Sequence, residues 1–110
     1  MTGPAVPAVA VADLPAGAVL LDVRESDEWL AGHAPGAQHL PMSELTARVA
    51  EIPDGDPLYV VCRSGGRSAR VVAYLAGQGY PAVNVAGGMQ QWAAQGREVV
   101  AEGGAAPQII

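Results

Sequence analysis

The only cysteine of this 110-residue chain, Cys62, lies where an apolar run gives way to a glycine-rich loop flanked by arginines. Residues 58–61 predict a buried strand, and residues 68–78 have the apolar spacing of a helix. Cys62 is therefore predicted at a strand-to-helix turn. In a parallel α/β sheet this is the edge at which ligands bind, outside the carboxyl ends of the strands.

The loop that follows the cysteine has the composition of an anion cradle. Gly65 and Gly66 allow left-handed backbone angles, so successive amides between Cys62 and Arg67 can point inward at the sulfur. Those amides, the start of the next helix, and the cations Arg63 and Arg67 all favour a thiolate over a thiol. Such surroundings lower the pKa of a cysteine from about 8.5 to about 3.5–7.5, which predicts a nucleophile that is already ionised at neutral pH.

A second interpretation of this cysteine is structural. Cys62 would then be a small apolar residue that ends a buried strand, and the glycine pair would serve only as a turn. The conjunction of a cysteine, two glycines, two arginines and a helix start within seven residues favours a reactive site.

Short strands and helices alternate along the chain. Strands are predicted at 8–11, 18–23, 37–40, 58–61 and 80–85, and helices at 26–30, 43–52, 68–78 and 89–95. The alternation predicts one α/β domain over residues 8–100, with a mainly parallel sheet and helices on both faces. Residues 1–7 are predicted to be a flexible lead-in, and residues 101–110 a flexible tail.

Composition narrows the range of partners. All six cations are arginine, and eleven acidic residues give a net charge of −5, so we expect no nucleic-acid partner. Three of the arginines nevertheless lie near the cysteine, which suits a small anion; they are Arg63, Arg67 and Arg70. One cysteine and two histidines supply no zinc-ligand spacing, and we expect neither a metal nor a cofactor. With no bilayer-length apolar run and no secretory signal pattern, we expect no membrane contact and a cytoplasmic location.

Three polar side chains outside the loop are further candidates. Arg24 follows the predicted strand 18–23 at the same sheet edge as the cysteine, where it could contact an anion; the alternative is an ion pair with Glu28. His33 and His39 invite a role as general base. The interpretation that we favour is that His33 ties the loop by hydrogen bonds and that His39 is partly exposed.

Four segments of the sequence together resemble the single-domain type of the rhodanese (thiosulfate sulfurtransferase) family. They are LDVRE with EW (residues 21–29), GHAPGA (32–37), CRSGGRS (62–68) and GGMQQW (87–92). The resemblance covers residues 8–99 and implies a rhodanese-like fold, with a five-stranded parallel sheet flanked by helices. It also implies that Cys62 becomes a persulfide and that loop residues bind the substrate, the anionic donor being attracted by the two arginines; these residues are Arg63, Ser64, Gly65, Gly66 and Arg67.

The expected function is therefore sulfur transfer from thiosulfate or another persulfide donor to cyanide or a thiol, through a persulfide on Cys62. An alternative is a module that relays sulfur between partner proteins or senses it. A phosphatase or arsenate reductase is less favoured, because related cysteine loops place five residues between cysteine and arginine. Here four residues separate Cys62 from Arg67, and the ring is sized for one sulfur.

Overall fold

The computed structural model describes residues 6–110, which form a five-stranded sheet with three α-helices and several 3₁₀ turns. The strands are β1 (Ala8–Ala10), β2 (Val19–Asp22), β3 (Gln38–His39), β4 (Leu58–Val61) and β5 (Ala82–Ala86). The helices are α1 (Ser26–Ala31), α2 (Gly66–Gly77) and α3 (Gly88–Ala94). The strand order is β1-β5-β4-β2-β3, and every pairing is parallel.

Two apolar clusters cover the sheet, one on each face. Successive residues of a strand point to opposite faces, so Val60 of β4 lies in the first cluster and Val61 in the second. Val72 and Leu75 of α2 pack in the first cluster, whereas Met89 of α3 packs in the second. The predicted α/β fold, with a parallel sheet and helices on both faces, is confirmed.

The topology places the cysteine at the middle of the sheet edge. β4 lies between β5 and β2, and Cys62 is the residue that follows β4. The chain leaves β4 toward β5 and leaves β2 toward β3, so the two connections run in opposite directions from the β2–β4 pair. Such a reversal opens a crevice at the carboxyl ends of the strands, where α/β proteins bind their ligands.

The helix predicted over 43–52 is absent; 3₁₀ turns at Met42–Glu44 and Val49–Glu51 occupy this stretch instead. Arg48 leaves the helical region with a φ of −120° and a ψ of 29°, which interrupts the run. Leu45 and Ile52 are nevertheless buried in the first cluster. The spacing of these apolar residues therefore predicted their burial correctly, but the helix that it also predicted does not form.

Residues near both ends of the described part of the chain contact the domain. Of the predicted lead-in, residues 1–5 lie outside the described part, whereas Val6 packs against the first cluster. The predicted tail lies along the domain: the Gln108 amide donates to the Ala31 carbonyl at 2.9 Å, and Ile109 packs against the second cluster. Ile109 supplies the packing of this segment, whereas the side chain of Ile110 is exposed.

None of the helices formed by residues 6–110 is both long enough and apolar enough to cross a membrane.

Candidate active site

The chain turns from β4 into α2 through a short loop that bends at a glycine. Gly65 is the N-cap of α2 and has a φ of +111°, a backbone conformation that side chains disfavour. Its carbonyl oxygen accepts the Ala69 amide at 3.1 Å and so begins the helix. Cys62 is thus held at a strand-to-helix turn, as predicted.

The start of α3 fixes the loop from the other side. The backbone amides of Met89 and Gln90 donate to the carbonyl oxygens of Cys62 and Arg63, at 2.8 and 2.9 Å. These bonds turn the loop carbonyls outward toward α3. The close approach leaves no space for a side chain at Gly88, where a Cβ would lie 2.7 Å from the Arg63 carbonyl carbon.

The sulfur of Cys62 accepts hydrogen bonds inside this loop. Its Sγ lies 3.1 Å from the Gly65 amide nitrogen and 3.2 Å from Ser68 Oγ. Burial raises the pKa of the thiol, but hydrogen bonds from the Ser68 side chain and from the amides of Ser68, Gly65 and Ser64 outweigh it and lower the pKa below its ordinary value. The arrangement favours a thiolate in a site that is almost closed to solvent, since Cys62 is only 1% exposed.

Two polar residues at the sulfur were missed as site residues from the sequence. Ser68 is fully buried in the first turn of α2, and Asn84 is buried on β5. Asn84 accepts a hydrogen bond from Ser68 and donates one to the Gly65 carbonyl oxygen, at 2.5 and 3.2 Å. A signal for Asn84 existed, because it is the one polar residue inside an otherwise apolar strand.

Arg67 lies near the sulfur but is bound by an acid. Its two terminal nitrogens donate to the two carboxylate oxygens of Glu28 at 2.7 and 2.8 Å. The hydrogen bonds from Arg67 lower the pKa of Glu28, although burial opposes the shift. The pair ties α2 to α1 and neutralises part of the positive charge that the sequence predicted for the loop.

Arg63 projects from the loop into solvent and contacts the end of the chain. Its Nε donates to the carbonyl oxygen of Ile110 at 3.0 Å. With the Gln90 amide oxygen turned toward the guanidinium, that oxygen accepts from both terminal nitrogens at 3.1 and 3.2 Å. Ile110, which belongs to the predicted tail, therefore contacts the loop.

Arg24 does not occupy the position that the sequence predicted for it. Its side chain is fully buried, and Nη2 donates to the Asp22 carboxylate at 2.7 Å and to the Gly32 carbonyl oxygen at 2.7 Å. The predicted contact with an anion is wrong, because the guanidinium has no exposed surface. The alternative pair with the Glu28 carboxylate is not formed either, since Arg24 reaches only the backbone oxygen of Glu28, at 3.4 Å.

His33 ties its loop by a hydrogen bond, and His39 is partly exposed, as the favoured interpretation predicts. His33 Nδ1 lies 2.8 Å from the Trp29 carbonyl oxygen, and His39 Nε2 lies 2.7 Å from the Arg24 carbonyl oxygen. Both rings stack on Trp29, with centroid separations of 3.6 and 4.8 Å. In the part of the chain that the structure describes, no group of three or more His, Cys, Asp or Glu residues could hold a metal ion.

Replacing Glu28 with glutamine tests the energetic role of the Arg67 pair. The new side chain would keep an oxygen for the Glu25 amide at the start of α1, but it would present an N–H group to one Arg67 nitrogen. We expect Glu28→Gln to lower the free energy of unfolding by about 1 kcal/mol at neutral pH. Because the folded pKa of Glu28 is lowered, the difference should shrink as the pH falls below the unfolded value of about 4.3 and through the folded pKa.

Denaturant unfolding of both proteins across this pH range measures the effect. Glu51→Gln is a matched control, because Glu51 also pairs with an arginine, Arg48, but with both side chains exposed. A loss for Glu28→Gln that stays constant through the acid range would contradict an origin in the charged pair.

Together, the fold and the loop define a class of protein: a parallel α/β domain that holds one cysteine, its pKa lowered, in a ring of backbone amides at the end of a central strand. The chain belongs to the Rhodanese-like domain family, whose sequence model matches residues 7–95. The resemblance carried by the four sequence segments is thereby confirmed.

Among the similar proteins, some are named sulfurtransferases and one is named a putative sulfur carrier. A "Sulfurtransferase" of Allochromatium vinosum is 41% identical over 87 residues, which are 78% of this chain and 81% of that protein. A "Thiosulfate sulfurtransferase GlpE" of Pseudomonas putida is 37% identical over 90 residues, 81% of this chain and 82% of that protein. The "Putative sulfur carrier protein YrkF" of Bacillus subtilis is 39% identical over 74 residues, 66% of this chain but only 40% of its own length.

Solved structures agree with the fold. A rhodanese-related protein from Thermoplasma volcanium superimposes with a TM-score of 0.81 at 33% identity, over 87% of this chain and 99% of that one.

Proposed function

We propose that this protein is a sulfurtransferase that carries a sulfane sulfur on Cys62. The observation that carries the proposal is the environment of Sγ, which accepts hydrogen bonds from the Gly65 amide and the Ser68 hydroxyl and whose pKa is lowered despite burial. The names of relatives that cover most of their own length, a sulfurtransferase and a thiosulfate sulfurtransferase, support the same chemistry.

The proposed reaction has two steps. In the first, the Cys62 thiolate attacks the outer sulfur of thiosulfate or of another persulfide donor, so that a new S–S bond forms while the donor's S–S bond breaks. The electron pair of the broken bond leaves with sulfite or with the donor thiolate. In the second step, cyanide or a thiol attacks the outer sulfur and the electron pair returns to Cys62. No general base is needed, because the attacking group is already ionised.

The loop would stabilise the negative charge of the persulfide. Inward backbone amides of the segment from Arg63 to Arg67 act on a charged sulfur as an oxyanion hole acts on oxygen. We propose that the amides of Ser64, Gly65 and Gly66 contribute to this binding, together with those of the flanking arginines. Four residues between Cys62 and Arg67 give a ring for one sulfur, and this supports sulfur rather than phosphoryl chemistry.

A second candidate function, relay of sulfur from a partner protein, is favoured by the state of the arginines. The Arg67 guanidinium is paired with Glu28, and Arg63 contacts the Ile110 carbonyl oxygen. A small dianion such as thiosulfate therefore meets less unpaired positive charge than the sequence suggested. The name of one relative, a putative sulfur carrier, points the same way.

Intact-protein mass spectrometry separates the two functions. The protein is incubated briefly with thiosulfate or with an unrelated protein that bears a persulfide, and cyanide is then added. We expect the mass to rise by one sulfur atom and to return after cyanide. Faster loading from thiosulfate supports the metabolic enzyme, and faster loading from the protein persulfide supports the relay. No gain from either donor, with the thiol still open to alkylation, would contradict sulfur transfer.

We propose that the protein acts in the cytoplasm, with small sulfur compounds or a sulfur-relay protein as partners and with no nucleic acid or membrane. A reducing compartment keeps a single loop thiol in the form that this chemistry requires. The net charge of −5 disfavours nucleic acid.

A further inference from the structure

The buried pair Ser68–Asn84 connects the sulfur to the neighbouring strand. Ser68 Oγ lies 3.2 Å from Cys62 Sγ and 2.5 Å from Asn84 Oδ1, while Asn84 Nδ2 donates to the Gly65 carbonyl oxygen at 3.2 Å. Asn84 is 7% exposed and Ser68 is fully buried, so bulk water does not supply alternative partners. The hydroxyl therefore has two competing neighbours.

Counting hydrogens shows that the competition is real. A serine hydroxyl carries one hydrogen, and the oxygen of an asparagine amide can only accept. The hydrogen in the 2.5 Å contact must therefore come from Ser68. Turning the Asn84 amide over would free that hydrogen but would set its oxygen against the Gly65 carbonyl oxygen. The Gly65 carbonyl oxygen thus holds the Asn84 amide in the orientation in which its oxygen accepts the hydrogen bond from Ser68.

We propose that Asn84 is a positioning residue, which from β5 competes with the Cys62 sulfur for the single hydroxyl hydrogen of Ser68. When Sγ is a thiolate, the hydrogen turns to the sulfur. When Sγ is neutral, as a thiol or bonded to an outer sulfur, the hydrogen turns to Asn84 and no buried hydroxyl is left without a partner. The proposal rests on the proposed function only in taking Cys62 as the nucleophile.

Removing Asn84 should act on the sulfur chiefly through Ser68. The Gly65 carbonyl oxygen keeps the Ala69 amide as a donor, and the Cys62 and Arg63 carbonyls keep the amides of α3. The backbone of the loop is therefore held by bonds that do not involve Asn84.

Charged groups around the sulfur remain the same in such a variant. Arg63 lies on the loop, Arg67 of α2 is paired with Glu28 of α1, and the buried Asp22–Arg24 pair ends the adjacent strand β2. β5 and α3 contribute no titratable side chain, and on β4 the titratable Tyr59 packs in the second cluster, on the opposite face from Cys62. None of these charged groups hydrogen bonds to Asn84 or Ser68.

The ionisation of Cys62 tests the proposal, and it is easily followed because the chain has one cysteine. The rate of alkylation by iodoacetamide is measured against pH for the wild type, Asn84→Ala, Ser68→Ala and the double variant. In Asn84→Ala the hydroxyl hydrogen is fully available to the thiolate. We expect the ionisation constant of the thiol to rise about threefold to tenfold, the value of one hydrogen bond. In the Ser68→Ala background the same substitution should have no such effect.

Two further variants separate positioning from a merely structural role. Asn84→Asp keeps the acceptor but adds negative charge and loses the amide that donates to the Gly65 carbonyl oxygen, so the ionisation constant should fall, and the fall should be larger with Ser68 than in the Ser68→Ala background. Val83→Ala, the neighbouring position on β5, should leave it unchanged. A fall in the ionisation constant of the thiol in Asn84→Ala would overturn the proposal. An equal rise in that constant with and without Ser68 would overturn it as well. The measurement needs no sulfur donor, so its failure is distinct from a failure of sulfur transfer.

Discussion

Cys62→Ser is expected to abolish sulfur loading, with a loss on the order of 10⁴-fold or more in the rate of transfer. A serine hydroxyl is not ionised at neutral pH, and it cannot form the S–S bond that stores the sulfur. The fold should survive, because the substituted oxygen accepts hydrogen bonds from the same groups at Gly65 and Ser68. Intact mass after incubation with thiosulfate or a protein persulfide measures the loss.

Wild-type protein alkylated with iodoacetamide is the appropriate control, since the chain has no second cysteine that could accept sulfur. Each of the two proteins should keep its own starting mass after incubation with any of the donors. A gain of one sulfur atom by Cys62→Ser that cyanide removes would place the carrier on another group and would contradict the proposed function.

The position of Cys62 between strand and helix was predictable from the sequence because it depends on local patterns. The apolar run before Cys62, the glycines after it and the helical spacing beyond define a strand-to-helix turn without knowledge of distant residues. The alternation of strands and helices, which is also a local pattern, predicts that the sheet is parallel. Gly65 does adopt the positive φ that the glycine pair allowed.

The partners of the charged and polar side chains were less predictable, because they lie far away in the sequence. Arg67 pairs with Glu28, which is 39 residues away, and Ser68 contacts Asn84, which is 16 residues away. Arg24 was assigned to the site because it ends the neighbouring strand. The end of a strand determines where a side chain begins but not the direction in which it points. The Arg24 guanidinium points into the domain, where it forms a buried ion pair with Asp22.

Gly88→Ala is expected to displace the active loop, although residue 88 makes no contact with the sulfur. Gly88 has a φ of +56°, and a Cβ there would collide with the Cys62 carbonyl oxygen and lie 2.7 Å from the Arg63 carbonyl carbon. The methyl group must therefore push α3 away from the loop, which breaks the bonds from Met89 and Gln90 that hold the loop carbonyls. Strain and overpacking should lower the free energy of unfolding by about 2–4 kcal/mol. Because a displacement of about 1 Å can cost 10²-fold in rate, sulfur loading should fall on that order.

A second glycine separates this steric effect from a general response to alanine. A Cβ at Gly77, the last residue of α2, would meet no atom within 4 Å, and its φ is not positive. Gly77→Ala should therefore keep wild-type loading and gain up to about 1 kcal/mol in unfolding free energy. Loading rates and denaturant unfolding of the two variants make the comparison. If Gly88→Ala loads sulfur as fast as Gly77→Ala, the contacts of α3 do not set the geometry of the loop, and the amides must be held inward by the Gly65 turn alone.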